Sequence, residues 1–528
     1  MPSYLSPGVY VEEVQSGSRP IEGVGTSVAA FVGFARRGPF NEPTLITNWT
    51  QFVSEFGEFV EGTYLASSVY GFFANGGGTC YVIRIGGDGG GDGGGDGGGV
   101  DRDGGGDGSA GAPGELTAGA EAQLGPYTVR ALPGVTGEIT VEVSDPEGDD
   151  PPGDVFALAV SRDGKVVETY PAVTSKRSKD NVATQVKAQS QLIEVREPGR
   201  GAAPGRPPAQ TVTLRPAPDD GIAPGPLSAD EYVGDPDLRT GFGGLEAIDE
   251  VTMVAAPDLM SAYERGVLDL ESVLTVQQGL INHCELMGDR IAILDPPPGL
   301  SPLQVKNWRM DTAGFDSKFA TLYYPWIKVF DPAAGRNAFV PPSGHIAGVW
   351  ARNDASRGVH KAPANEVIRG AVSLQTQLTK GEHDLLNPIG LNCVRAFPGR
   401  GIRVWGARTL SSDQSWRYLN VRRLFNYLEE SILAGTQWVV FEPNDDALWA
   451  RIRRTVSAFL VNEWRRGALF GLTPEEAFYV KCDRETNPAQ SIDAGQVICE
   501  IGVAPVKPAE FVVFRLSQLT GGTGAVDE

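Results

Sequence analysis

Residues able to do chemistry are few and scattered. The four histidines, His283, His345, His360 and His383, fall into no HExxH or other close metal-ligand spacing. The five cysteines, Cys80, Cys284, Cys393, Cys482 and Cys499, never form a CxxC pair. Thiols so dispersed, and odd in number, read as reduced core residues of a cytosolic product rather than as a disulfide framework. No Walker loop, GxGxxG or GxSxG occurs. Asp295 closes an apolar run, the position at which α/β enzymes place catalytic acids. Pro296, Pro297 and Pro298 follow it, however, which is the setting of a turn former. Arg357, His360 and Lys361 have the composition of an anion site and equally of a solvated loop. The tract GGDGGGDGGGDGGGVDRDGGGDG (86–108) has the rhythm of calcium-binding β-roll repeats, but Val100 is its one apolar residue, so nothing would pack between coils. It reads as a flexible acidic linker. The expectation is a protein without catalytic residues, cofactor or metal.

The scaffold around these residues is large. A chain of 528 residues exceeds one hydrophobic core, and 41% hydrophobic against 21% charged residues indicates that most of it folds. The net charge of -21 argues against direct binding of nucleic acid, which needs Lys and Arg to neutralise phosphates. That charge is uneven: residues 341–528 carry 21 Lys and Arg against 20 Asp and Glu, and the first 340 carry 24 against 46. No basic segment followed by an apolar one marks a signal peptide, and no apolar run reaches the roughly 18–20 residues of a membrane span. Synthesis in a cytoplasm, without membrane insertion, is expected.

Periodicity divides the chain further. Strand patterns are read at 26–35 and 79–85, with helices at 48–57 and 62–77, the second stopped by Asn75-Gly76. Short alternating runs over 124–215, with a hairpin signal at Asp163-Gly164, predict a small all-β module between flexible joints, the form of an insertion at a surface loop. Strand, helix and strand then alternate: 251–258, 274–288, 290–299, a capped helix at 301–309, and a strand region at 319–331. Two strands around a Gly-rich turn (390–410), two helices (415–434 and about 446–466) and two alternating runs (495–508 and 510–518) complete the pattern. The run SPGVYVEEV near the start (6–14) is another strand without an adjacent partner, an exposed edge of the kind natural proteins cover.

Five segments carry a resemblance: SPGVYVEEV, AGVWARNDASRGVHKAPAN (347–365), GLNCVRAFPGRGIRVWGARTL (390–410), RYLNVRRLFNYLEESI (417–432) and FEPNDDALWARIRRTVSAFLVNEWRRGALFG (441–471). In this order they closely resemble the contractile tail sheath proteins of phages and related injection systems, over roughly 1–85 and 240–528. The resemblance implies an α/β (α+β) multidomain fold: a sheath core of mixed sheets with packed helices, an inserted small all-β domain, and extended strand arms at both ends. The division expected is an N-terminal arm (1–20), a first part of the core (21–85), a Gly/Asp linker (86–123), an inserted surface domain (124–226), a middle α/β domain (227–345), a C-terminal sheath core facing the inner tube (346–505), and an arm strand with tail (506–528).

Sheath arms reach neighbouring subunits and complete a shared sheet by strand addition. Val9, Tyr10, Val11 and Val14 at one end, and Phe511, Val512, Val513, Phe514 and Leu516 at the other, are the strand residues this implies, apolar on both faces. The Gly- and Pro-containing stretches at 16–25 and 502–510 are the expected hinges. On a helix over 449–466, Trp449, Ile452, Val456, Phe459 and Leu460 share one arc and Arg451, Arg454, Arg465 and Arg466 another, so the arginines are candidates to face an acidic inner tube. The implied partners are many copies of the chain, the tube protein, and baseplate and cap proteins, assembled in a bacterial cytoplasm as a phage tail or tail-like particle. A cytosolic α/β enzyme and a surface β-rich adhesin are the rival readings.

Overall fold

The apolar runs of the front and middle of the chain converge on one sheet. The computed structural model describes residues 20–86, 121–131, 139–146, 153–162, 164–176, 178–190, 192–196, 205–214 and 227–515. The strand residues Val9, Tyr10, Val11, Val14 and Leu516, the Gly/Asp tract beyond Gly86, and Asp163 of the hairpin turn lie outside them.

Strand β1 (Val28–Gly33) is buried along nearly its whole length, as its unbroken apolar run requires. β2 (Thr44–Ile46) and helix α1 (Trp49–Phe56) follow, α1 being capped by the Asn48 side chain, which accepts from the Gln51 N–H. Helix α2 (Leu65–Asn75) stops at Gly76 in a left-handed conformation, and β3 (Thr79–Arg84) returns beside β1. After the inserted module come β4 (Met253–Ala255), α3 (Asp258–Glu264), α4 (Leu270–Met287), β5 (Ile291–Leu294) and β6 (Ala320–Tyr324). Helix α5 (Ser343–Arg357), α6 (Lys380–Leu386), β7 (Leu391–Phe397) and β8 (Gly401–Val404) complete this body.

The eight strands form one sheet in the order β8-β7-β6-β5-β4-β1-β3-β2. Its six central strands are parallel, and β2 and β8 are antiparallel edges. The residues of 319–331, expected as one strand region, form two: β6 enters the large sheet, and Ile327–Asp331 pairs with Arg336–Val340 and Ser373–Leu374 in a separate small sheet. Helices α2 and α5 cross closely because Gly344 faces the Ser68 backbone, where a Cβ would stand 2.4 Å from the Ser68 Cα.

Packing also divides the chain differently from the sequence-based boundary at 345/346. β7 and β8 belong to the large sheet, and a second core is built mainly by helix α7 (Leu419–Thr436), α8 (Asp446–Arg465), β9 (Phe478–Lys481) and β10 (Glu500–Val503), with Ile21 and Val359 packed into it. The physical reason is register: β7 pairs with β6 from Leu322/Leu391 to Tyr324/Cys393, which binds 391–404 into the sheet of the middle region. The described part of the inserted module forms a four-stranded and a three-stranded antiparallel sheet over a core of its own, with one helix at Val182–Gln189 that the all-β expectation omitted.

Candidate assembly interface

The crevice where a doubly wound sheet ordinarily binds a ligand lies at the carboxyl ends of its strands, where strand order reverses. In this chain that point falls between β1 and β4. It is filled by the protein itself. The fully buried Asp258 carboxylate accepts from the backbone N–H of Phe34 at 2.7 Å, of Leu65 at 3.1 Å, and of Tyr64. Gly33 leaves room for it, since a Cβ there would stand 2.5 Å from the carboxylate. Burial pushes the Asp258 carboxyl up to about 6, with the three N–H donors opposing the rise.

Asp295, the other strand-end carboxylate, is buried and accepts from the Ser343 N–H at 3.1 Å, at the start of α5; burial raises its carboxyl to about 7. Both acids terminate helices rather than open onto a cleft. His283 and His345 are buried and pushed down to about 4, while His360 and His383 sit on other elements, also lowered by burial. Among the described residues no group of three or more His, Cys, Asp or Glu is placed to hold a metal.

The described residues nearest each end of the chain are tied to the folded body by long-range contacts. On the incoming side, Ile21 packs into the second core, the Val24 N–H donates to Ser431 Oγ at 3.1 Å, and Gly23 lies against the Tyr427 ring. Thr26 is gripped twice: its hydroxyl donates to Asp354 at 2.7 Å, and its carbonyl accepts from Arg423 at 2.8 Å. Arg423 and Asp354 are themselves paired through two contacts, of 3.0 and 2.5 Å, with side chains only 3% and 5% exposed. The guanidinium lies 4.8 Å from the Trp350 ring. The described part of the expected hinge at 16–25 is therefore held against α7, and Thr26 next to it is clamped between α5 and α7.

On the outgoing side, β10 pairs with β9, a two-stranded ladder that is marginal alone. Only Glu500–Val503 of the alternating run 495–508 is strand. The chain then follows the second core, with Ala504 donating to the Ala477 carbonyl and Val506 to the Ala468 carbonyl, and reaches Glu510. Glu510 is held by Arg408 at 2.6 and 2.9 Å and by Asn387 at 2.8 Å. Beyond it Phe511, Val512, Val513 and Phe514 are 68–85% exposed, with no ladder partner among the described residues. The sequence-based strand at 510–518 is thus not paired within this chain over its described part. The 502–510 stretch, expected as a hinge, is fixed at both ends.

Helix α8 begins at Asp445, whose side chain accepts from the Leu448 N–H. Trp449, Ile452, Val456, Phe459 and Leu460 are buried, as their shared arc requires. The four arginines are not equivalent. Arg451 pairs with Glu442 at 2.6 Å and lies 4.2 Å from the Trp438 ring, and Arg466 pairs with the buried Glu463 at 2.8 Å. Arg454 and Arg465 are exposed and have no ion-pair partner among the described residues. Eleven residues of helix place them about 16 Å apart on one face. Sequence reasoning missed Arg408, Glu510, Asp354 and Arg423; all but Glu510 lie in segments that carried the resemblance.

Comparison with known proteins bears on the fold. Residues 247–410 match the phage tail sheath protein central domain, and residues 411–518 match the phage tail sheath C-terminal domain. The tail sheath protein of Vibrio phage KVP40 is 28% identical over 238 residues, covering 42% of this chain and 35% of that protein. A putative prophage major tail sheath protein of Pseudomonas aeruginosa is 29% identical over 252 residues, covering 47% and 61%. The chain thus aligns with between about a third and three fifths of the length of these relatives. Among solved structures, the sheath complex of an extracellular contractile injection system (PVC, contracted state) superposes with a TM-score of 0.58 at 22% identity, covering 98% of this chain and 99% of that one. The helical sheath of the anti-feeding prophage in its contracted state gives 0.58 at 23%, covering 98% and 100%. This chain belongs to the phage tail sheath family.

Proposed function

We propose that the chain is a contractile sheath subunit: many copies stack helically around an inner tube and contract to drive that tube through a target envelope. Head-to-tail contacts that do not close a ring produce such open helical arrays. The observation that carries the reading is the exposed, unpaired run Phe511–Phe514, which leaves a fixed root and presents apolar side chains to solvent. A strand of this kind finds its partner on another molecule, with main-chain hydrogen bonds giving affinity and alternate side chains giving register. Residues 9–14 are assigned the same role at the other end. The β9–β10 ladder, with only two strands, is the edge proposed to receive them.

Arg454 and Arg465 are the proposed contacts to an acidic tube; Arg451 and Arg466 serve inside the subunit. The energy of contraction is stored at assembly in a kinetically trapped, extended array and released when a baseplate signal lets rings rotate and compact, so no nucleotide is consumed. Baseplate and cap proteins complete the particle, which assembles in the bacterial cytoplasm as part of a phage tail or tail-like injection particle. Neighbouring genes separate those two hosts: capsid and terminase genes mark a phage. Deleting residues 1–20 tests the arm scheme. The expected product is a folded, soluble subunit that does not polymerise, and ordered tubes from it refute the scheme.

A further inference from the structure

We propose that Glu510 is the positioning residue that anchors the outgoing arm to the eight-stranded sheet, so that a pull on the arm is received by β7 and not by the β9–β10 ladder. The proposal rests on the sheath reading of the arm. Glu510 is the last residue before the exposed run that is held by side chains of the folded body. Its carboxylate takes a two-point contact from Arg408, with Nε to Oε1 at 2.9 Å and Nη2 to Oε2 at 2.6 Å; a carboxylate so gripped has a fixed orientation as well as a fixed place. Asn387 Nδ2 donates to Oε1 at 2.8 Å and the Tyr418 hydroxyl to Oε2 at 3.3 Å.

The grip continues inward. Arg408 is 7% exposed, and its backbone is bracketed by the fully buried Asn392 of β7: the Arg408 N–H donates to Asn392 Oδ1 at 2.7 Å, and Asn392 Nδ2 donates to the Arg408 carbonyl at 2.8 Å. Force on Val513 thus passes through Glu510 and Arg408 to a central strand of the largest sheet. The β9–β10 ladder, the part of the second core that precedes the arm in sequence, is bypassed. Of the three side chains that touch Glu510, Arg408 and Tyr418 are ionisable, and His383 on α6 is close enough to feel the charges of both Arg408 and Glu510. Burial opposes ionisation of Glu510, but the hydrogen bonds from Arg408 and Asn387 outweigh it and hold the carboxyl below the usual range. The anchor is therefore intact above the ordinary Glu range and is lost as pH falls through the lowered native value.

The test uses the full chain as the unassembled subunit, with Cys499→Ser and nitroxide labels at Lys380→Cys and Val513→Cys, compared with the same protein carrying Glu510→Gln. Three residues beyond a fixed Glu510 give Val513 a spread of about 9 Å, and seven beyond Val506 give about 14 Å, by flexible-chain scaling. A distance distribution about one and a half times broader is expected in Glu510→Gln at neutral pH. Wild type is expected to broaden on acidification and the Gln variant to stay unchanged, with circular dichroism confirming the fold. Equal widths in the two proteins at neutral pH overturn the anchor. Because the distance is read before assembly, failure of wild type to form tubes bears on the sheath reading alone.

Discussion

Asp354 and Arg423 offer a strong test of how the two folded bodies are held. Replacing Asp354 by Ala removes both carboxylate contacts from a guanidinium that is 3% exposed, leaving it the Thr26 carbonyl and the face of Trp350. Removing one partner of a buried pair costs about 3–5 kcal/mol, because the remaining charge is desolvated without compensation. The Thr26 hydroxyl also loses its acceptor, a loss of about 1 kcal/mol that falls within the same range. Replacing both residues with apolar ones of similar volume (Asp354→Leu with Arg423→Met) removes the stranded charge and is expected to recover most of the loss. Urea unfolding followed by tryptophan fluorescence gives the stabilities, and hydrogen exchange over residues 21–28 reports whether the incoming arm root loosens. A single variant within about 1 kcal/mol of wild type, the worth of an exposed pair, would refute the argument that this lock is buried and essential.

Other consequences concern charge. A cavity of about 260 Å³ at the junction of the two bodies is lined by Asp249, Glu250, Asp289 and Glu430, among others. Burial, then Asp289 and Asp249, raise the Glu430 carboxyl, so its contribution to stability is present at acid pH and lost as pH rises through the raised native value. Glu430→Gln is expected to raise the melting temperature at pH 7 and to leave it unchanged near pH 4, below the ordinary Glu value of about 4.3. Reversing Arg454 and Arg465 to Glu is expected to leave sheath-only polymers intact and to impair assembly on the tube, measured by co-sedimentation. Normal co-assembly removes these residues from the tube interface.

What the sequence made legible follows local rules. The Asn75-Gly76 stop, the capped helix after Ser301 and the buried arc of α8 are signals carried within one or two turns of chain, and each lies where it was read. Helix α5 escapes a periodicity reading because all of its first nine residues are buried, which erases the polar face that periodicity detects. Pro325 divides the 319–331 region, and a proline inside an apparent strand is the signal that should have split it. The arm roots were beyond local reading. Arg423 meets Asp354 across 69 residues and Arg408 meets Glu510 across 102, and spacing along the chain carries no trace of such pairs. For the same reason two stretches rich in Gly and Pro read as hinges, although long-range bonds fix their described parts.

The central claim is that these subunits build a helical sheath, and negative-stain microscopy of the purified full chain, alone and with its tube protein, tests it most directly. Striated hollow tubes are expected if the claim holds. Discrete single particles under both conditions, from protein that is folded by circular dichroism, would contradict it.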